Sequence, residues 1–149
     1  MNAYQEMKSR HQKRVNALPV KFAFSMDQFR KAMAELGLTE NDTDKIYKMG
    51  NTGGFYLRTD SKLIFDTFEQ NEAEMKAAIA ADTDGTGFIK DMFLYELANH
   101  EYCITRDLEP ALDALGLSVE EINESPALLN GLRLARVEYM RAAEANGWY

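Results

Sequence analysis

Residues 82–89 are the segment of this chain whose side chains best suit metal binding. They read Asp-Thr-Asp-Gly-Thr-Gly-Phe-Ile and match the opening of a calcium-binding EF-hand loop. Such a loop takes side-chain oxygens from positions 1, 3 and 5, a backbone carbonyl from position 7, and a glycine at position 6 for the sharp turn. The candidate calcium ligands are Asp82, Asp84, Thr86 and the carbonyl of Phe88.

The same loop lacks the residue that closes an EF-hand site. Position 12 requires a bidentate glutamate and is Phe93 here, while Lys90 places a cation at position 9. The composition also suits a plain turn, because glycine accepts positive φ and an aspartate or threonine can cap the next helix. We favour a turn between two helices and keep calcium as the alternative; no other cofactor is expected.

Few other residues have the types or spacing that catalysis needs. His100 and Cys103 have a metal-compatible spacing, but the chain has one cysteine and its other histidine is His11, so a four-ligand zinc site lacks partners. Residues 50–54 are glycine-rich but lead into a strand, which favours a hairpin link over a phosphate-binding loop. With no recognisable acid and base pair, we predict that the protein is not an enzyme.

Composition and charge narrow the class of protein. A chain of 149 residues can fold as one domain without disulfides, and its single cysteine suits a reducing compartment. No apolar run of about 18 residues and no signal peptide is present, so we predict a cytoplasmic protein without a membrane partner. The net charge is −7, residues 1–16 carry +3, and the remainder therefore carries −10. Such a surface favours basic partners.

Hydrophobic periodicity predicts an α+β, predominantly helical fold, with five to six helices packed on a small antiparallel sheet. A hairpin is predicted over about residues 45–58. A half-buried strand is predicted over about residues 18–24, with Val20, Phe22 and Phe24 alternating against polar or small residues.

Residues that typically start or end helices predict the helix limits. Ser25, Ser125 and the Ser118–Glu121 pair predict helix starts, and glycines 37, 116 and 147 predict helix ends. Residues 100–104 predict a connector or an added strand. Residues 1–16 predict a basic arm or a marginal helix, and residues 17–149 a single α+β domain.

The C-terminal third raises a helix-turn-helix alternative, in which Arg133, Arg136 and Arg141 would face DNA. Residues 101–149 contain four basic and nine acidic side chains, a net charge of −5, whereas phosphate contacts dominate DNA affinity. We therefore expect no direct DNA binding. The candidate interaction residues are instead carboxylates of the acidic body and cations of the N-terminal segment: Asp107, Glu109, Glu120, Glu121, Glu124, Lys8, Arg10, Lys13 and Arg14.

Three blocks, residues 82–89, 92–102 and 112–121, resemble a family of small accessory proteins encoded by phages and integrative elements of gut bacteria. The similarity extends over about residues 20–135 and includes no catalytic motif, so it transfers no functional residue. It implies a mobile-element context, in which small acidic inhibitors of CRISPR or restriction systems recur.

The predicted function is a non-enzymatic, acidic accessory factor that binds a host or element-encoded protein. An anti-CRISPR or anti-restriction inhibitor that blocks a nucleic-acid-binding nuclease fits this description. The alternative is a calcium-binding protein with a single degenerate EF-hand-like loop.

Overall fold

A computed structural model describes residues 1–148. The described residues form a three-stranded antiparallel sheet and eight α-helices, which confirms the predominantly helical α+β class. The elements in chain order are α1 (Ala3–Asn16), β1 (Lys21–Phe22), α2 (Met26–Glu35), β2 (Ile46–Lys48), β3 (Gly54–Leu57), α3 (Ser61–Ala81), α4 (Phe88–Asn99), α5 (Tyr102–Thr105), α6 (Glu109–Leu115), α7 (Val119–Glu124) and α8 (Pro126–Asn146). The helix count exceeds the expected five to six because α1 and the single turn α5 are both helical.

Contacts divide the chain into two compact units, one of residues 11–72 and one of residues 1–10 with the described residues from Ala73 onward. The predicted division into an arm of residues 1–16 and a single domain of residues 17–149 stays a prediction. None of the described helices is long and apolar enough to cross a membrane.

The unit of residues 11–72 contains the sheet, and the predicted hairpin is confirmed as β2 and β3. Its strand order is β1-β3-β2, with Tyr47 opposite Tyr56 in the hairpin and Lys21 opposite Phe55 on the other edge. Helix α2 covers the sheet with the fully buried Met33, and the ring of Phe29 lies 5.2 Å from that of Phe55. This apolar cluster is the core of the unit.

The strand predicted over residues 18–24 is shorter than expected and presents its other face to the core. Only Lys21–Phe22 pair with β3, and Phe22 and Phe24 are 57% and 77% exposed. Ala23 packs against the core cluster instead. The alternation was correct, but its phase was not, because a shift of one residue moves every side chain of a strand to the opposite face.

Helix α4 forms the centre of the other unit. Its side chains Ile89, Met92, Phe93 and Leu97 are all 0% exposed and belong to one cluster with the buried face of α8. Phe93 therefore occupies the core, as the turn interpretation of residues 82–89 requires. The position that would hold the closing glutamate of an EF-hand is used for packing.

The predicted caps of three helices are confirmed. The side chains of Ser25 and Ser125 accept backbone N–H groups at the starts of α2 and α8, and Ser118 forms a reciprocal capping box with Glu121. The prediction of a connector or an added strand over residues 100–104 was wrong, because residues 102–105 form the helical turn α5. Two residues in the left-handed region, Glu101 and Arg106, bound this turn.

Candidate functional site

The loop that resembles an EF-hand directs its first carboxylate to a helix terminus. Asp82 Oδ2 accepts the backbone N–H groups of Gly87 at 3.1 Å and Ile89 at 2.8 Å. Helix α4 starts at Phe88, so these N–H groups have no partner within the helix. The Asp82 side chain therefore caps α4 from outside the helix.

The second carboxylate closes the turn itself. Asp84 Oδ1 accepts the backbone N–H of Thr86 at 3.0 Å and its hydroxyl at 2.7 Å. The donated backbone N–H lowers the pKa of the Asp84 carboxyl from its usual value. Across the unit, Asn130 Nδ2 of α8 donates to the Asp84 carbonyl at 2.8 Å. The loop is thus fastened both to α4 and to α8.

Metal ligands do not cluster in the described part of the chain. Among residues 1–148, no group of three or more His, Cys, Asp or Glu side chains is placed to hold a metal ion. The four proposed calcium ligands share one loop, and the two carboxylates among them accept hydrogen bonds from its backbone. Calcium binding stays a prediction.

Replacement of Asp82 by alanine distinguishes capping from calcium binding. We expect a loss of about 1–2 kcal/mol in the free energy of unfolding, the usual effect of losing an N-cap, and the same loss with calcium or with a chelator. Denaturant unfolding measures it, with Asp84→Ala as the matched variant. Because the Asp84 carboxylate bonds only within the exposed turn, the loss of stability in Asp84→Ala is expected to be smaller. Calcium-dependent stability abolished equally by both changes would contradict the capping role.

A buried carboxylate lies elsewhere in the same unit. Glu96 of α4 is 0% exposed, and its Oε1 accepts the hydroxyl of Tyr4 at 2.6 Å and the ammonium of Lys8 at 3.0 Å. Its Oε2 lies 3.4 Å from Nε2 of His100, and neither of these two buried atoms has a hydrogen-bond partner. This cluster ties the first turns of α1 to α4.

The tyrosine of this cluster is held in its neutral form. Burial, and then the hydrogen bond that it donates to Glu96, raise the pKa of Tyr4 above its usual value. Its ring also packs edge-on against Tyr95 and Phe88, with centroids 5.6 and 5.8 Å apart. Tyr4 therefore contacts α4 both through its hydroxyl, which donates to Glu96, and through its ring, which packs on aromatic side chains.

The two residues with metal-compatible spacing, His100 and Cys103, have different surroundings. His100 faces Glu96 across 3.4 Å, whereas the buried Cys103 Sγ accepts the hydroxyl of Tyr139 at 3.2 Å. Burial, followed by the hydrogen bond with Cys103, raises the pKa of Tyr139. The thiol thus contributes to the packing between α5 and α8.

The predicted acidic interaction residues lie on or next to the consecutive helices α6 and α7. We call residues 107–124 the acidic segment; its six carboxylates are all exposed, and it contains no lysine, arginine or histidine. Asp107 and Glu121 accept local capping hydrogen bonds. Within residues 1–148, none of the six forms an ion pair. They are Asp107, Glu109, Asp113, Glu120, Glu121 and Glu124.

The predicted basic interaction residues all lie on α1 but have different contacts. Lys8 is engaged by Glu96, and its ammonium lies 5.2 Å from the Tyr95 ring centroid. Arg10 and Lys13 are exposed, and Arg14 donates to Asn71 Oδ1 at 3.1 Å. Only some of these cations are therefore available to a partner, and Lys8 is a structural contact.

Comparison with known proteins identifies a family without assigning an activity. A family model described as a family of unknown function, DUF7659, matches residues 3–138. This chain belongs to DUF7659. No curated protein and no solved structure matches it. The matched range of the DUF7659 chain spans the loop of residues 82–89, the Glu96 cluster and the acidic segment.

Glu96 was missed in the sequence of this DUF7659 chain, although a signal for its burial was present. It follows Met92 by four residues and Phe93 by three, which places all three on one face of a helix. The charge of a glutamate argues for exposure, since glutamate is almost never fully buried without a partner. Its partner, Tyr4, lies 92 residues away in sequence.

Proposed function

We propose that this protein is a non-enzymatic accessory factor that binds a basic, nucleic-acid-binding surface of another protein through its acidic segment. The observation that carries the proposal is the set of six exposed carboxylates on residues 107–124, none of which has an ion-pair partner within residues 1–148. A host or element-encoded nuclease of a CRISPR or restriction system is the proposed partner, in the cytoplasm of a bacterium.

Electrostatics supports this type of partner. A channel that accommodates phosphates is lined by lysine and arginine, and clustered carboxylates are attracted to it over distances of about a Debye length, roughly 8 Å at physiological salt. Close pairing then excludes nucleic acid from the same surface. The resemblance to mobile-element accessory proteins supports the choice of a defence nuclease as the target.

A charge-reversal pair tests the proposal. Glu120→Lys with Glu124→Lys removes two carboxylates and keeps the capping box of Ser118 and Glu121. The matched control, Glu69→Lys with Glu144→Lys, makes the same change in net charge at exposed positions outside the segment. We expect affinity for the captured nuclease to fall by on the order of tenfold or more in the first variant, and by much less in the control.

The functional readout is plasmid interference in bacteria that carry an active CRISPR or restriction nuclease. Expression of the wild-type protein is expected to restore transformation by a targeted plasmid, and the Glu120/Glu124 variant to restore it less than the control does. Full interference across several nucleases would refute the inhibitor role. Equal loss of affinity in both variants would refute the assignment of the acidic segment.

A further inference from the structure

A positively charged groove lies between α5 and α8, in the unit that also contains the acidic segment. It encloses about 590 Å³ and combines three guanidinium groups with an apolar floor. We call it the arginine groove and define it by Arg106, Arg133, Arg136, Leu129, Val137 and Met140. We propose that it binds an acidic, amphipathic peptide segment of another protein, with carboxylates on the arginines and apolar side chains on the floor. This proposal does not depend on the acidic segment.

The groove concentrates positive charge in an otherwise acidic part of the chain. Residues 101–148 contain four basic side chains, and Arg106, Arg133 and Arg136 all line the groove. In the described structure, Arg133 and Arg136 have no carboxylate within ion-pair distance, although nine acidic residues share this part of the sequence. Their charge is therefore available to an external carboxylate, which a guanidinium binds through two parallel hydrogen bonds.

Each guanidinium is already held in position by the protein. Arg136 Nη2 donates to the Tyr102 hydroxyl at 2.9 Å, and Arg133 Nη2 donates to Asn130 Oδ1 at 2.9 Å. Arg106 Nε donates to the Cys103 carbonyl at 3.2 Å. Side chains fixed in this way lose less conformational freedom when a ligand binds, which favours affinity.

The apolar floor defines the shape of the occupant. Leu129 and Val137 are 47% and 42% exposed, and with Met140 they follow one stripe of α8. From residue 129 to residue 140 this stripe is roughly 16 Å long, at 1.5 Å per residue. It therefore matches about three turns of an amphipathic helix or about five residues of extended chain.

The combination of features selects a peptide over a polyphosphate. Nucleic acid would leave the exposed Leu129 and Val137 without apolar partners. An acidic peptide with leucine-like side chains satisfies both parts of the groove. The Arg136 guanidinium also lies 5.6 Å from the Tyr102 ring centroid, a cation–π contact that helps to hold it in place.

The backbone at Arg106 gives independent support. Its φ of 58° lies in the left-handed region, where glycine is favoured and other residues are strained. Strained backbone is concentrated at functional sites, where the side chain that it places is needed. An arginine at this groove-lining position, in place of glycine, is consistent with a binding role for its side chain.

A displayed library of random peptides of about 12 residues, panned on the full-length protein, tests the proposal. We expect enrichment of peptides that combine several Asp or Glu with Leu, Ile, Phe or Met. A synthetic copy of an enriched peptide is then titrated against variants. Arg133→Glu and Arg136→Glu are expected to weaken binding by about tenfold or more each. The control Arg141→Glu makes the same charge change on α8 outside the groove and is expected to alter binding little.

Two further variants separate binding from folding. Arg106→Gly is expected to weaken binding of the peptide. Glycine relieves the positive φ, which offsets the loss of the hydrogen bond from Arg106 Nε to the Cys103 carbonyl, so the melting temperature should change little. Val137→Ser is expected to weaken binding more than Val119→Ser, a change at an apolar residue of α7 that is also exposed. Failure to enrich acidic apolar peptides, or equal effects of Arg136→Glu and Arg141→Glu, would overturn the proposal. So would concentration-dependent self-association that Arg136→Glu abolishes, because the occupant would then be a second copy.

Discussion

Gly85→Ala is expected to lower the free energy of unfolding by about 3 kcal/mol. A Cβ at this position would lie 2.0 Å from the carbonyl oxygen of Ala127 and 3.0 Å from the backbone nitrogen of Gly131. Backbone atoms cannot move aside as the end of a side chain can, so the loop or α8 must shift. The φ of 79° adds about 1–2 kcal/mol of strain for a residue with a Cβ, and overpacking adds about 1–3 kcal/mol.

Gly116→Ala and Gly37→Ala are the matched controls for this change. Both glycines have positive φ, but a Cβ at either would have no neighbour within 4 Å. Each of these two variants is expected to lower the free energy of unfolding by about 1 kcal/mol, from backbone strain alone. Urea denaturation of the three variants measures the difference. A cost at Gly85 no larger than at Gly116 would show that the loop does not pack as closely on α8 as the structure places it.

Glu96→Ala is expected to lower the free energy of unfolding by about 3–5 kcal/mol. Removal of one member of a buried ion pair leaves the partners unsatisfied, and the lost side chain leaves a cavity. Here the Tyr4 hydroxyl loses its acceptor and Lys8 loses its counter-charge. Because Lys8 keeps 46% of its side chain exposed, part of its charge can be hydrated, which places the expected value toward the lower end of this range.

Glu138→Ala is the control for Glu96→Ala. Glu138 pairs with Lys90 at 3.5 Å, but its side chain is 54% exposed. Exposed pairs contribute about 0–1 kcal/mol. The loss in the free energy of unfolding, measured by chemical denaturation, should therefore be several-fold larger for Glu96→Ala than for Glu138→Ala. A loss below about 1 kcal/mol for Glu96→Ala would contradict the central role of this carboxylate in joining α1 to α4.

The two proposed surfaces can be tested separately because their charges are opposite. Reversal of Glu120 and Glu124 should affect only a basic partner, and reversal of Arg136 only an acidic peptide. The two partners also differ in salt dependence. Binding at the acidic segment depends mainly on charge and should weaken steeply with salt, whereas the apolar floor of the arginine groove is insensitive to screening.

Local features of the sequence determined several helices and their limits. Ser25, Ser118 and Ser125 accept the N–H groups of residues three positions away, so their effect is contained in a few consecutive residues. The glycines that end α6 and α8 act within the same range, through their own φ angles. The role of the loop of residues 82–89 as a turn also follows, since Phe93 lies at a core position of the helix that the loop precedes.

Only the tertiary structure decided which residues meet across the chain. Alternation predicted a strand near residue 22, but pairing with β3 selected the face that Ala23, and not Phe22, presents to the core. The contact of Tyr4 with Glu96 and the assembly of Arg106 with Arg133 join residues far apart in sequence. Such contacts depend on how whole helices pack, and packing is set by the sum of many weak interactions that no short segment contains.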